Sequence, residues 1–306
     1  MTVFEKARRF IYRQARPLDL ARWQYHFENG TKENVLVALA MYQNNDGGFG
    51  HGLESDCFNP NSSPIQTWVA TEILREIDFT DNTHPIIKGI LKYLSSGLDF
   101  DTEHQQWLNT VPSNNDYPHA IWWTYKAGEV EFKYNPTASL AGFFIKYGDR
   151  KCDFYNTAIK IVRDAYQFWN ADIAHFDQHK TTCFIRLYEY CLEAKIEISD
   201  MGEFKQKLIK QVKYELSSVA DKWENEYVCM PSNFIDTKNS IFYTTNFELI
   251  AKECEYIDKK QLEDGSFAIP WKWWTEYPEY ELAKNWWKSD FCIRNLLFLR
   301  EFGNQT

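Results

Sequence analysis

This sequence predicts an all-α fold, a single α/α toroid ((α/α)6-like ring of helical hairpins) with at most short β-hairpins in its loops. Three observations predict it. Apolar residues recur at helical spacing along most of the chain, with no βαβ rhythm and no Gly-rich phosphate loop after a strand. The chain has 306 residues. Single cores stop growing at roughly 250–300 residues, whereas stacked hairpins each need only their neighbours. Finally, a turn of the form Q-x-x-D-G-[GS]-F occurs twice, at Gln43–Phe49 and at Gln261–Phe267. A pattern repeated in register is the mark of a repeated structural unit.

The helices can be traced in order. Tyr155, Ala158, Ile159, Val162, Ala165, Tyr166 and Trp169 share one helical face, with Lys160, Arg163 and Asp164 elsewhere. Phe184, Leu187, Tyr188, Cys191 and Leu192 repeat the pattern, as do Phe204, Leu208, Ile209, Val212, Leu216 and Val219. Asp200 and Glu203 have capping-box spacing. Ser63-Pro64 and Asn135-Pro136 each place a capping side chain before a proline at the first helical position. Ala138, Ala141 and Gly142 then offer a small-residue face for close helix approach. This helix and the one from about Ser63 to Ile77 are expected to be inner members of the ring. Strand signals are sparse: Leu98 to Val111 reads as a short hairpin, and Glu129 to Tyr134 alternates. Roughly ten to twelve helical segments result, at the usual three to four turns each. No Pro/Ser/Gly-rich linker divides them, so residues 1–306 are read as one domain.

The repeated turn has a physical logic. Asp-Gly closes a helix because Gly accepts the left-handed conformation and Asp bonds back to nearby amides. The Gln at its start can bond to exposed backbone at a helix end, and the Phe folds down onto the hairpin. Gln43, Asp46 and Gly47 make the first copy, and Gln261, Asp264 and Gly265 the second. The pattern resembles the QW-type motif of terpenoid cyclases, with Phe in the Trp place, and related turns of protein prenyltransferase β subunits. The run from Asp46 through His51, Glu54 and Asp56 to Ser63-Pro64, then Tyr117-Pro-His119-Ala-Ile-Trp122-Trp123 and Asn135-Pro136, is similar to uncharacterised bacterial prenyltransferase-like proteins. That resemblance implies the α/α toroid and brings no established activity, because a fold does not fix a function.

The superfamily's chemistry is not carried over. The D-x-D-D acid of class II cyclases is absent, Asp99-Phe-Asp101-Thr102 being the nearest run. The D-D-x-x-D of class I synthases is absent too. Asp290-Phe-Cys292 matches the start of a prenyltransferase zinc site, but no His comes after it. Asp290 and Cys292 read instead as a helix N-terminal acid and a core thiol.

Two regions remain as candidates for catalysis. His51, Glu54 and Asp56 lie within a connection from about Asp46 to Asn61, longer than ordinary helix links, and long loops often carry function. An Asp/Glu/His set suits acid/base work or a divalent metal, though His-x-x-Glu-x-Asp is no recognised metal signature. Asp116 and His119 join them as candidates. Tyr117, Trp122 and Trp123, with Trp271, Trp273 and Trp274, are the candidate substrate-binding aromatics. The His51 loop and the His119 segment are expected to meet at one mouth. A ligand-binding or enzymatic role is the leading expectation, in an aromatic-lined central cavity. A carbohydrate-active enzyme using Glu54 or Asp56 with Asp116 is the alternative, and a non-catalytic scaffold the second alternative.

Composition narrows the partners. Aromatic residues make up 17% of the chain, and the net charge is −9. An acidic chain without a basic stripe argues against nucleic acid and anionic membranes. An isoprenoid, an oligosaccharide or another small molecule is expected. No nucleotide-cofactor motif is present, and no membrane-length apolar run. The N-terminal run has charges inside its apolar stretch and reads as an amphipathic helix rather than a secretion signal. The 7 Cys lack paired spacing, so free thiols in a reducing cytoplasm are expected.

Overall fold

Apolar periodicity becomes helix along most of the chain. The computed structural model describes residues 1–171, 177–223 and 226–303. Among them run α1 (Val3–Gln14), α2 (Pro17–Phe27), α3 (Lys32–Ala40), α4 (Pro64–Glu76), α5 (Pro85–Ser95), α6 (Thr137–Tyr147), α7 (Asp153–Ala171), α8 (Gln178–Ala194), α9 (Met201–Val219), α10 (Tyr243–Lys260) and α11 (Tyr280–Phe302). The protein is all-α, 59% helical. Its one described sheet pairs β1 (Phe100–Asp101) with β2 (Gln106–Trp107) antiparallel, Phe100 opposite Trp107. This is the hairpin expected between Leu98 and Val111. Glu129–Tyr134 forms no strand, because its charged residues have no facing strand to pair with. None of the described helices is long and apolar enough to cross a membrane.

The chain divides into two compact units, Leu39–Gln211 and Met1–Ala38 with Val212–Thr306. In the first unit, α6 is buried around its circumference, and α4 over all but a half-buried stripe of Trp68, Val69, Glu72, Arg75 and Glu76. Helix α4 buries Ile65, Gln66, Thr67, Ala70, Thr71, Ile73 and Leu74, and α6 buries every residue from Thr137 to Ile145. By contrast, α5 and α7 bury a single stripe, which for α7 is Tyr155, Ala158, Ile161, Val162, Ala165, Tyr166 and Trp169. Enclosed and one-faced helices thus alternate, as helical hairpins require. Ile159 sits half-buried at the margin of the α7 stripe. On α8, Leu192 is 51% exposed, because the buried stripe ends at Cys191.

The small-residue face of α6 does what its sequence predicts. A Cβ on Gly142 would lie 2.9 Å from the Tyr190 ring and 3.3 Å from Leu187 Cα, so α6 and α8 approach closely there. Ser63 caps α4 by accepting from Gln66 N. Asp200 accepts from Glu203 N at the start of α9. Asn135 does not cap α6. The first-turn amide of Ala138 is met by the Tyr134 carbonyl, and the Asn135–Pro136 peptide is cis.

In the second unit, α11 packs against α1, α2 and α10. A buried ion network holds this face: Asp19 accepts from Arg16 at 2.8 Å and Arg22 at 3.1 Å, and Arg22 reaches Asp290 at 2.9 Å. Asp290 therefore sits in the interior of α11 as an ion-pair partner, not at a helix N-terminus. Cys292 is a core thiol, fully buried. All seven cysteines are free.

Candidate functional site

The turn at Gln43 determines where the candidate loop begins. Gly47 and Gly265 take φ of 98° and 93°, open to Gly at no steric cost. Gln43 donates its amide to the Gly47 carbonyl at 2.9 Å and to the Ile86 carbonyl of α5 at 3.1 Å. Asp46 accepts from Gly48 N at 2.8 Å and from the Ser62 hydroxyl at 2.7 Å. Phe49 is fully buried and bridges both Gln43 and Ser63. The loop beyond the turn is thereby pinned at each end.

Between those ends, Gly52 to Cys57 are all buried, which is unusual for irregular chain. Buried backbone without regular structure needs side-chain partners. They are supplied by amides. Asn59 donates to Ser113 Oγ at 2.8 Å and to Asn114 Oδ1 at 2.9 Å, and accepts from Asn61 N. Gln66 takes a bond from Leu53 N and gives one to the Asn59 carbonyl. Asn114 donates in turn to the Trp123 carbonyl.

The His51 loop and the His119 segment do meet, through backbone. Phe58 N donates to Pro118 O, Ala120 N donates to Asp56 O, and Cys57 bridges His119. Their side chains are placed differently. His119 is 4% exposed, with Nδ1 on the Tyr117 carbonyl at 2.6 Å. A carbonyl only accepts, so Nδ1 carries the proton and Nε2 accepts from the Thr124 hydroxyl at 3.0 Å in the neutral ring. His51 is exposed, at φ 60°, and contacts Asn44 Oδ1 at 2.9 Å. Glu54 and Asp56 are 6% and 2% exposed. Glu54 Oε1 accepts from Asp56 N. Asp116 is exposed at the end of a 3-10 turn, Pro112–Asp116, away from the buried level of those two carboxylates. Cys57 is pushed up to about 12 by burial, with Glu54 and Asp56 adding to the effect. It is a packing thiol, since the thiolate is the reactive form.

The aromatics divide as well. Tyr117 and Trp123 are half-buried, while Ile121 and Trp122 are exposed beside His119. In the other unit, Trp273 is 1% exposed and belongs to the core, Trp271 is half-buried against Tyr227 and Trp287, and Trp274 is 74% exposed at φ 58°. A depression of about 220 Å³ lies in that unit, lined by Phe10, Arg13, Gln14, Asp264 and Asn285. Among the described residues, no three His, Cys, Asp or Glu side chains converge as a metal would need.

No family model, curated protein or solved structure matches this chain. Function is therefore read from the side chains. Segment 43–63 carries Asp46, Glu54 and Asp56, segment 112–124 carries Asp116, and neither contains Lys or Arg. Lys92 of α5 reaches the Asn45 carbonyl, on the turn.

One polar set escapes a reading of the sequence. Glu72 Oε2 pairs with Arg186 at 2.7 Å, and Arg186 also holds Glu189 at 2.8 Å. Arg75 pairs with Glu189 and Glu193, and Lys146 with Glu193. In sequence these are ordinary helix-surface charges at i,i+3 and i,i+4 spacing. Only the packing of α4 and α8 around α6 assembles them. The signal that could have raised attention is Trp68, four residues before Glu72 and therefore on the same helix face.

Proposed function

We propose that this protein binds a neutral, polyhydroxylated ligand of the carbohydrate class at the surface formed by the paired 43–63 and 112–124 segments. The observation that carries this reading is the lining. Its exposed groups include the acid Asp116, the amides Asn45, Asn61 and Asn115 and the Trp122 ring, and neither segment has a Lys or Arg of its own. A diphosphate needs cationic donors, and an isoprenoid diphosphate would find none in either segment. Sugars are held by amide and carboxylate hydrogen bonds and by an aromatic face, and those are the groups present.

Binding without catalysis is the reading the burial supports. Glu54 and Asp56 are interior groups within a tightly bonded loop, and both ring nitrogens of His119 are occupied. A hydrolytic role would use Glu54 and Asp56 as the carboxylates flanking the scissile bond. Thermal-shift and calorimetric titration against glucose, maltotriose, cellotriose, chitotriose and geranyl diphosphate tests the proposal. A saccharide is expected to bind wild type and to weaken at least tenfold in Trp122→Ala. Binding of the diphosphate alone would overturn it. Loss of saccharide turnover in Glu54→Gln, should turnover be found, would move the assignment to the hydrolytic role.

A further inference from the structure

Helix α4 runs directly from the proposed binding loop, and its face toward α8 holds polar atoms that the fold leaves unused. Glu72 Oε2 accepts from Arg186 Nε, while its Oε1 is buried and accepts no hydrogen bond among the described residues. The Trp68 indole N–H, four residues earlier, is likewise buried without an acceptor. On α8, Gln178 Oε1 repeats the situation two turns before Arg186. Buried polar atoms in folded proteins are overwhelmingly paired, so three on one pair of helices call for an explanation.

The two helices lie parallel here. Glu72 meets Arg186, and three residues on, Arg75 meets Glu189 and Glu193. Trp68 lies about one turn into α4 from the end at which the 43–63 loop enters, and Glu72 about one turn further. Trp68, Val69, Glu72, Arg75 and Glu76 form a half-buried stripe along α4, and Gln178 and Arg186 are half-buried on α8, so this face is not sealed.

We propose that Trp68 and Glu72, the latter held in place by Arg186, form a hydroxyl-recognising subsite for the carbohydrate-class ligand of the 43–63 and 112–124 surface. The inference rests on that binding reading and deepens it. A hydroxyl accepts one hydrogen bond and donates another. A single ligand hydroxyl therefore satisfies the indole donor and the carboxylate acceptor together, which a carbonyl or an ammonium does not. The charges around the subsite balance: Glu72, Glu189 and Glu193 stand against Arg75, Lys146 and Arg186. A neutral ligand is the one this face neither repels nor over-attracts. Sites built on a hydroxyl discriminate sharply against analogues that lack it, because their polar atoms stay unpaired.

The test is calorimetric titration of the full chain with glucose, maltotriose, cellotriose and chitotriose. The tightest of these is then titrated into Trp68→Phe, Glu72→Gln and Trp122→Ala. Trp68→Phe removes a donor that the fold does not use and keeps an aromatic ring, and its melting temperature is recorded beside the titration to confirm that it is folded. The expected result is a Kd raised at least tenfold in Trp68→Phe and in Glu72→Gln. Monodeoxy analogues of the same sugar should show one position whose loss weakens wild type tenfold and leaves Trp68→Phe unchanged. Wild-type affinity in both α4 variants, with Trp122→Ala weakened, overturns the subsite and leaves the binding surface standing. No binding of any saccharide to wild type overturns both.

Discussion

The two copies of the Q-x-x-D-G-[GS]-F turn are nearly identical in their bonding and open into unlike stretches of chain. Gln43 donates to Gly47 O and Ile86 O; Gln261 donates to Gly265 O and Val3 O. Gly47 abuts Gly89, three residues beyond Ile86, and Gly265 abuts Lys6, three residues beyond Val3. Each turn thus clamps the first turns of a helix by the same two contacts. Asp46 and Asp264 each accept from the amide two residues on. They differ in their remaining partners, Ser62 for Asp46 and Ser266 with Lys288 for Asp264. The first copy opens into a buried loop that ends at Asn61, the second into the Trp271–Trp274 segment. The clamp is the shared part, and the proposed binding surface lies in the elaboration after the first copy.

The comparison breaks most readily at the glycines. A Cβ on Gly47 would sit 2.1 Å from Gly89 O, and one on Gly265 2.2 Å from Lys6 O, both at positive φ. Gly47→Ala and Gly265→Ala should each cost about 4 kcal/mol in urea unfolding. A loss at one site alone would show that the two clamps are not equivalent.

A pH measurement separates the helices that carry the turns. Helix α10, which leads into the second copy, buries Glu253 against Ser232 N and Oγ, and burial pushes its carboxyl up from 4.5 to about 7. The folded value lies above the unfolded one, so the folded chain favours the protonated form. The contribution of Glu253 to stability is fully present below about pH 4.5 and is lost as pH rises through about 7, by about 3 kcal/mol in all. Glu253→Gln should remove that dependence between pH 5 and pH 8, read as the difference between variant and wild type. A parallel slope in both would sink the assignment.

Smaller effects are expected at the side chains. Gln43→Ala and Gln261→Ala each forfeit two hydrogen bonds, at about 2 kcal/mol per variant by the same unfolding assay. Trp122→Ala and Trp274→Ala remove exposed rings, and both should stay within about 0.5 kcal/mol of wild type. The two tryptophans diverge in calorimetry alone, with saccharide affinity lost in Trp122→Ala and kept in Trp274→Ala.

Much of the fold was legible from the residues. The stripe on α7 and the small-residue face at Gly142 come from period and side-chain size. The clamp comes from Asp-Gly and a Gln at fixed spacing. The site was legible only in part. His51 and His119 belong to segments that pair, yet His51 turns outward to Asn44 while His119 is closed over by Tyr117 and Thr124. Sequence spacing does not encode which way a loop side chain faces, since that depends on the partners which reach it. Trp273 and Trp274 are adjacent and chemically identical, and one is buried while the other is exposed.

Residue spacing by itself determined the helices, their caps at Ser63 and Asp200, and the two turns, because each depends on contacts within a few residues. Tertiary structure decided the rest. It placed Glu54 and Asp56 inside a loop held by Asn59, Asn114 and Gln66. It moved Asp290 from an expected helix start into an ion pair with Arg22. It also brought Glu72 to Arg186 across 114 positions. Those outcomes depend on burial and on partners distant in the chain, and a local pattern carries neither.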